Sequence, residues 1–269
     1  MIRQCVSINL PYILPKDMRE ASRLDFQHFL LRVVLGGNYL APLQQPETIL
    51  DVGSGSGRWA LEMARDFPQA HVTACDLLKQ ESQGSSAPLN VHFVQGDLLK
   101  GLPFPDQSFD FVHQRLLCLA IPRLSWPGVV RELVRVTKPG GWIELVETQL
   151  LMANMGPVLT QLLKWTDQVG KKRGVEAWRV PDLAAEMRLA ELSHISTRRF
   201  DLPAGNWGGR IGSMMRTDGL AIAEAVKPLV ISQLGIDPAT YDRMRALLPD
   251  DYERARPSIP FFITFGQRV

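Results

Sequence analysis

A glycine-rich turn between an apolar strand and a helix constrains the fold of this chain more than any other feature. Residues 51–57 read DVGSGSG, directly after the apolar and β-branched run 48–53 and at the start of a helical pattern at 56–67. Glycines at these positions allow the backbone to turn tightly and to approach a ligand closely. The turn therefore predicts a βαβ unit with a ligand at the end of its first strand.

Short apolar runs alternate with helical patterns along the rest of the chain. We predict strands at 48–53, 71–76, 90–97, 108–114, 141–147, 193–203 and 260–269, and helices at 56–67, 127–141, 157–172 and 181–192. We expect Pro139 to close the helix at 127–141 and Pro181 to lie in the first turn of the helix at 181–192. Strands that alternate with helices favour a Rossmann-like α/β fold with a mostly parallel sheet, covered by helices on both sides.

Three interpretations of the glycine turn compete. A dinucleotide fingerprint has the spacing G-x-G-x-x-G, whereas the third glycine here comes one residue early. A P-loop ends in Gly-Lys followed by Ser or Thr, but this turn continues with Arg58 and Trp59. Asp51, two residues before the first glycine, suits a ligand with a cationic amino group better than a pyrophosphate. The spacing therefore favours a ligand with a cationic amino group. Binding of another nucleotide and a purely structural turn are the two alternatives.

Two further acids end the next two predicted strands. Asp76 follows Asp51 by 25 residues, and a carboxylate there can accept hydrogen bonds from both hydroxyls of a ribose. Asp97 ends the third strand, where it can accept from an adenine amino group while Leu98 packs on the ring. Ligands of open α/β sheets bind outside these strand ends. The alternatives are a helix N-cap for Asp76 and a loop cap for Asp97.

The motifs, taken together, resemble a known family. The segments ILDVGSGSGRWA, VTACDLL, FVQGDLLKGLPFPDQSFDFVHQR and ELVRVTKPGGWIELVE resemble the successive motifs of class I S-adenosylmethionine-dependent methyltransferases in order and spacing. This resemblance covers about residues 48–147. Residues 11–43 resemble the leader of a subgroup of secondary-metabolite methyltransferases and related fungal regulators, through Tyr12, Pro15, Asp17, Glu20, Arg23, Leu24, Gln27 and His28.

The resemblance implies a cofactor and the residues that hold it. It implies a seven-stranded sheet whose last strand is antiparallel, S-adenosylmethionine as the cofactor and S-adenosylhomocysteine as its product. Gly53, Ser54 and Gly55 would hold the methionine end of the cofactor. Asp76 and Leu77 would bind the ribose.

The remaining cofactor contacts are also implied by the resemblance. Asp97 and Leu98 would bind the adenine, and Gln114 would lie beside the sulfonium and the methionine amine. Tyr12 and Arg23 would close over the cofactor from an N-terminal helix, with Arg23 pairing the methionine carboxylate. A packed aromatic and a solvated helix charge are the alternatives for these two residues.

No residue is assigned to catalysis from the sequence. Methyl transfer from a sulfonium is an in-line displacement, and a general base is needed only when the nucleophile must lose a proton. His28, His113 and Glu147 are the candidates, but hydrogen-bonded core histidines and a capping carboxylate explain them as well. The spacing of Cys and His residues suggests no metal site.

The acceptor site is expected outside the cofactor-binding core. We divide the chain into an N-terminal helical cap (1–45), the core (46–150), the helices and sixth strand that complete it (151–203), a helical insertion (204–259) and a seventh strand (260–269). The cap and the insertion would cover the C-terminal edge of the sheet, and an oligomer interface is the alternative for the insertion.

Aromatic and methionine side chains would line this acceptor site. Such side chains form adaptable apolar walls, which favours a small lipophilic or aromatic acceptor, although core packing explains them too. The residues concerned are Trp126, Trp142, Trp165, Trp178, Trp207, Met152, Met155, Met214 and Met215.

Composition limits the partners. A net charge of +2 with scattered Lys and Arg argues against nucleic acid, and no apolar run is long enough to span a bilayer. The N-terminal residues do not resemble a secretory signal, and the widely spaced Cys5, Cys75 and Cys118 suggest a reducing compartment, so we expect a cytoplasmic protein. The rivals to a small-molecule methyltransferase are a protein or nucleic-acid methyltransferase and a regulatory protein that binds the cofactor with little turnover.

Overall fold

The computed structural model describes residues 18–78 and 87–269. Its strands, β1 to β7, are Thr48–Val52, His71–Asp76, Val91–Gln95, Phe109–Arg115, Thr137–Thr148, Leu192–Pro203 and Ser258–Arg268. Its α-helices, α1 to α7, are Met18–Leu35, Arg58–Asp66, Trp126–Val136, Pro157–Lys171, Leu183–Leu189, Gly209–Leu234 and Pro238–Ala255. The described residues also form short 3-10 helices at Arg123–Ser125 and Asn206–Gly208.

The seven strands form one sheet in the order β3-β2-β1-β4-β5-β7-β6. Pairing is parallel from β3 through β5, while β7 is antiparallel to both β5 and β6. This confirms the predicted sheet with its antiparallel last strand. The carboxyl ends of β1 to β5 therefore meet at one edge, and this is where a ligand of such a sheet binds.

Helices bury both faces of the sheet. Along β1, Leu50 faces the cluster that includes Leu133 of α3, whereas Ile49 faces the opposite cluster with Phe111 and with Trp59 of α2. Burial of one such side chain contributes about 1.5–3 kcal/mol. The alternation of Ile49 and Leu50 between two helical layers explains why the strand is apolar on both sides.

Two predicted helices have wrong bounds. The helix expected at 127–141 ends at Val136, and Thr137 already begins β5, so Pro139 lies in the strand. The extra residues form an irregularity opposite β4, because Phe109 pairs with Thr137 but Phe111 pairs with Trp142. A strand can take up such an insertion as a bulge, which local propensity does not reveal.

The helix expected at 181–192 is shorter than predicted. It begins at Leu183, because the Asp182 carboxylate accepts a hydrogen bond from Ala185 N at 3.0 Å and acts as the N-cap. Pro181 therefore precedes the helix instead of lying in its first turn. At the other end α5 stops at Leu189, and β6 takes over from Leu192.

The insertion between β6 and β7 consists of α6 and α7, which pack with α1 and α4 in one apolar cluster. Leu31 of α1, Leu162 of α4, Val230 of α6 and Leu248 of α7 are all buried members of this cluster. Within the described residues, no helix has the length and apolar character needed to cross a membrane. The exact boundaries of the cap, core and insertion stay predictions.

Candidate functional site

The glycine turn lies at the carboxyl end of β1 and is docked on β2. Gly53, Gly55 and Gly57 have φ values of 69°, 56° and 75°, a left-handed region that strains other residues. Both Gly53 N and Ser54 N donate to the Cys75 carbonyl, at 2.8 and 3.1 Å. The turn is therefore a fixed, partly exposed stretch of backbone at the sheet edge.

Asp76 joins the end of β2 to this turn. Its Oδ2 accepts a hydrogen bond from Gly55 N at 2.9 Å, and its Oδ1 accepts from Leu78 N at 3.1 Å. Asp76 thus binds both the glycine turn and the backbone after β2, where described residues 77–78 form a bend and not the helix of the alternative interpretation. Leu77 is partly buried beside it, and its carbonyl accepts from Gln95 Nε2 at 3.0 Å.

Asp97 and Leu98 lie at the same edge, after β3. The Asp97 carboxylate accepts from Leu99 N at 3.0 Å and pairs with Lys100 Nζ at 3.1 Å, which are loop-capping contacts. Gly96 N donates to the Asp76 carbonyl at 2.9 Å, and this bond holds the segment against the end of β2. Leu98 packs against the apolar cluster on the α3 face of the sheet.

Asp51 lies below the turn and faces inward. Its carboxylate is buried and pairs with His113 Nδ1 at 2.9 Å. The His113 ring stacks on Trp59, with 3.9 Å between centroids and 4° between planes. Burial lowers the pKa of His113, while the Asp51 carboxylate opposes that shift. His113 is therefore the hydrogen-bonded core histidine of the alternative interpretation, and Asp51 is its partner.

Gln114 is fully buried at the carboxyl end of β4. Its Nε2 donates to the Glu147 carboxylate, and its Oε1 has no donor among the residues the structure describes. Glu147 also accepts from Leu117 N at 2.8 Å and from Cys118 N at 3.0 Å. A carboxylate with these partners and no exposed surface caps the loop after β4, which is the capping role that the sequence left open for Glu147.

The cap helix α1 covers the glycine turn. A Cβ built on Gly55 would lie 3.0 Å from Leu24 Cδ1, so α1 and the turn are in contact. The buried guanidinium of Arg23 donates from its terminal nitrogens to Asp218 of α6 at 2.9 Å and to Glu20 at 2.6 Å. In this arrangement Arg23 fastens the cap to the insertion, and it is not a solvated charge. Tyr12 lies outside the described residues.

His28 occupies a second buried polar contact of α1. Its Nδ1 lies 3.2 Å from a terminal nitrogen of Arg115, and its Nε2 lies 3.1 Å from the Glu62 carboxylate. Burial and Arg115 lower the pKa of His28, while Glu62 acts in the opposite direction. This histidine ties α1 to α2 and β4, which is again the structural interpretation.

Sequence reasoning missed the partners that hold these elements together. Asp218 and Glu62 gave no local signal, because each meets its partner across a long sequence separation, 195 residues in the case of Arg23 and Asp218. Leu117 was missed as well, although it lies just beyond the β4 motif and contacts the position of Gly53. The short distance of Leu117 from the β4 motif along the sequence is the one signal that could have indicated its contact with the glycine turn.

The aromatic and methionine side chains separate into two sets. Met215 is buried in the cluster formed by α1, α4, α6 and α7, and four others pack against it: Met152, Met155, Trp165 and Met214. The rest lie elsewhere: Trp126 in the α3-side core, Trp142 in the α2-side core, and Trp178 in a small cluster with Val175. Trp207 is 39% exposed, and its Nε1 donates to the Ala204 carbonyl.

The sheet order and the glycine turn with acids at successive strand ends define a Rossmann-like methyltransferase domain. Residues 49–141 match the family model described as a methyltransferase domain. The methyltransferase pytC of Aspergillus terreus is 31% identical over 231 residues, which are 80% of this chain and 69% of the relative. The chain belongs to the S-adenosylmethionine-dependent methyltransferases.

Two further similarities are more limited. The secondary metabolism regulator laeA of Aspergillus flavus is 34% identical over 139 residues, which span 51% of this chain and 37% of that protein. A solved Haemonchus contortus phosphoethanolamine N-methyltransferase 2, in complex with S-adenosylhomocysteine, superposes with a TM-score of 0.52 at 14% identity. That alignment covers 92% of this chain and 52% of the other, and it shows a shared fold.

Proposed function

We propose that this protein transfers the methyl group of S-adenosylmethionine to a small lipophilic or aromatic acceptor in specialised metabolism. The observation that carries the proposal is the contact between the glycine turn and the acid after β2. Gly55 N donates to Asp76 Oδ2 at 2.9 Å, so the backbone cradle and the carboxylate face one another at the ligand-binding edge.

The residues at this edge fit the cofactor in chemical type. Gln114 Oε1 is a buried acceptor without a donor among the described residues, and an ammonium group supplies such a donor. The left-handed φ values of Gly53 and Gly55 shape the turn, and neither position has room for a side chain beside Leu117 and Leu24. Asp76 lies after β2 with its carboxylate on the glycine turn, and a carboxylate accepts hydrogen bonds from ribose hydroxyls.

Each part of the cofactor then has a proposed binding residue. Gly53, Ser54 and Gly55 would hold the methionine end beside Gln114, Asp76 and Leu77 the ribose, and Asp97 and Leu98 the adenine. Asp51 would contribute indirectly, because its carboxylate pairs with His113 beneath the turn and so helps to fix the end of β1. Arg23 would need to exchange its present carboxylate partners to reach the methionine carboxylate, so a role in fastening the cap fits its contacts better.

When bound, S-adenosylmethionine supplies an electrophilic methyl group on a sulfonium. The task left to this chain is to hold an acceptor in line with that group and to exclude water. Positioning of this kind can lower a barrier by about 7–11 kcal/mol. Because His28, His113 and Glu147 are all buried and paired, we propose no general base from among them.

The acceptor class is proposed from the cluster that joins the cap to the insertion. Met152, Met155, Trp165, Met214 and Met215 converge there, and two leucines of the loop after β4 pack against the same cluster. Methionine and aromatic side chains adapt to varied apolar ligands. The similarity to pytC and laeA supports specialised metabolism as the setting.

The rival proposals have less support. A regulatory protein with little turnover is suggested by the description of laeA, but that match covers only about half of this chain. A protein methyltransferase would need an open groove for a peptide, and the apolar cluster favours a smaller acceptor. The described cysteines, Cys75 and Cys118, are free buried thiols, which fits a reducing compartment, and we propose the cytoplasm.

A turnover assay tests the proposal. Purified protein and S-adenosylmethionine would be incubated with a panel of lipophilic phenols, carboxylic acids and amines, and with a peptide library, while S-adenosylhomocysteine release is measured. We expect release that depends on at least one lipophilic small molecule. Release with peptides alone, or cofactor binding without release for any acceptor, would contradict the proposed acceptor class.

A further inference from the structure

The Glu147 carboxylate lies where the ends of β4 and β5 meet. It has no exposed surface, and it accepts hydrogen bonds from the Gln114 side chain, from Leu117 N and from Cys118 N. The last two donors belong to the loop that follows β4. One carboxylate at the end of β5 thus holds both a side chain of β4 and the first residues of the next loop.

The same loop bears on the glycine turn. A Cβ built on Gly53 would lie 2.8 Å from both Cδ atoms of Leu117, whose N–H binds Glu147. Gln114 pairs in register with Val52, the residue before Gly53. The contacts of Glu147 are therefore one residue away from the cradle proposed for the cofactor.

Glu147 also decides which way the Gln114 amide points. An ionised carboxylate only accepts hydrogen bonds, so the amide nitrogen must face it and Oε1 must face away. This leaves Gln114 Oε1 buried and without a donor among the described residues. Buried acceptors are rarely left in this state, and the ammonium group of a ligand would supply the missing donor.

We propose that Glu147 is a positioning residue, which holds the Gln114 amide nitrogen so that Gln114 Oε1 accepts a hydrogen bond from the ammonium group of the bound cofactor. The inference rests on the proposed function, since it takes S-adenosylmethionine as the ligand. A protonated Glu147 could instead donate to the amide oxygen. The amide would then turn over and present N–H groups to a cation, which weakens binding.

The surroundings of Glu147 place this change near neutral pH. Desolvation raises the pKa of Glu147 to about 7, although the hydrogen bonds from Gln114 and the loop lower it. The ionisable group in contact with it is the Cys118 thiol, whose pKa burial raises well above its ordinary value, so that thiol stays neutral. From β7, Phe262 pairs in register with Glu147 and carries no charge.

The sign of the pH effect follows from these contacts. If only the ionised form orients Gln114 for binding, about a tenth of the protein is competent one pH unit below the pKa, and affinity falls about tenfold. Stability changes in the opposite direction. Since folding raises the pKa of Glu147, its contribution to stability is present at low pH and is lost as pH rises toward about 7.

Two ligands separate positioning from general structural support. S-adenosylhomocysteine carries the amino-acid end, whereas 5′-methylthioadenosine has the adenosine and sulfur but no ammonium group. Titration calorimetry between pH 6 and pH 8.5 should show S-adenosylhomocysteine binding weaken about tenfold toward pH 6. Binding of 5′-methylthioadenosine should change less than twofold over the same range.

Variants test the same pair of residues. In Glu147→Gln, affinity for S-adenosylhomocysteine at pH 8 should fall to about the level of the wild type at pH 6, and the pH dependence should vanish, with 5′-methylthioadenosine unaffected. Gln114→Leu should weaken S-adenosylhomocysteine binding in the same way and leave 5′-methylthioadenosine binding unchanged. Adding Glu147→Gln to Gln114→Leu should not lower the affinity further. Glu144→Gln is the matched control, because Glu144 is equally buried on β5 with its pKa also raised to about 7, yet it binds Leu40 N and Ala41 N.

The outcomes separate this inference from the proposed function. Equal loss of both ligands in Glu147→Gln, or a pH profile that survives the substitution, would overturn the positioning role while cofactor binding stands. If Glu147→Gln does not fold, Gln114→Leu decides: wild-type affinity and an unchanged pH profile in that variant refute the inference. A wild-type protein that binds neither ligand would overturn the proposed function, and the inference with it.

Discussion

Removal of the Asp76 carboxylate is the perturbation whose effect the structure defines best. Asp76 accepts from Gly55 N at 2.9 Å and from Leu78 N at 3.1 Å, and its carboxylate is proposed to bind the ribose. A hydrogen bond to a charged group contributes about 1.5–3 kcal/mol, or about 10- to 150-fold in Kd. We therefore expect Asp76→Ala to weaken S-adenosylhomocysteine binding at least tenfold, and more if both ribose hydroxyls bind the carboxylate.

The same substitution should also lower the free energy of unfolding. Two backbone N–H groups lose their acceptor, but both are near solvent, so water replaces part of the loss and we expect about 1 kcal/mol. Calorimetry would measure Kd and urea unfolding would measure stability, on the same preparations.

Asp110→Asn provides the control at the opposite edge of the sheet. There Asp110 accepts from Glu47 N at 3.0 Å and from Thr48 N at 2.8 Å, at the start of β1. This variant should lose stability without losing affinity. If folded Asp76→Ala binds S-adenosylhomocysteine as tightly as the wild type, Asp76 is only a cap and the ribose assignment is refuted.

Three further predictions concern the turn, the cap and the insertion. Gly53→Ala should lower the free energy of unfolding, measured in urea, by at least about 1 kcal/mol and should weaken cofactor binding. The reasons are the φ of 69° at this position and the contact of the new Cβ with the loop after β4. A variant as stable as the wild type would contradict this. Arg23→Gln should lower the free energy of unfolding by about 3–5 kcal/mol, because two buried carboxylates lose their cation. Asp218→Asn in the same chain should recover part of this loss in a double-mutant cycle. Purely additive effects would show that Arg23 and Asp218 are not coupled. Met214→Ala, in the apolar cluster proposed for the acceptor, should raise the acceptor KM and leave cofactor affinity unchanged, whereas a change in sedimentation alone would indicate an oligomer interface.

Short-range patterns account for what could be predicted from the sequence. The glycine turn and the acid after β2 lie in one βαβ unit, where spacing along the chain fixes spacing in the fold. The irregularity in β5 at Pro139 could not be predicted, because proline and glycine after a helical run favour a loop, and only the neighbouring strand makes them part of a sheet.

The insertion shows a second limit of local patterns. The predicted helical insertion is confirmed, but local patterns do not explain why α6 runs unbroken for 26 residues from Gly209 to Leu234 despite its glycines. One of these glycines, Gly219, lies against the hydroxyl of Tyr252 in α7, where a larger side chain would collide. Tertiary contact therefore overrides helix propensity at this position. The Arg23–Asp218 pair escaped prediction for the same reason, since it joins residues 195 positions apart.

The glycine turn and the acids at the strand ends are proposed to hold S-adenosylmethionine and not another nucleotide. Titration calorimetry with S-adenosylhomocysteine and with NAD, on the wild-type protein and on Asp76→Ala, tests this claim most directly. We expect S-adenosylhomocysteine to bind at one site per chain, Asp76→Ala to weaken that binding at least tenfold, and NAD not to bind. Binding of NAD with none of S-adenosylhomocysteine would contradict it.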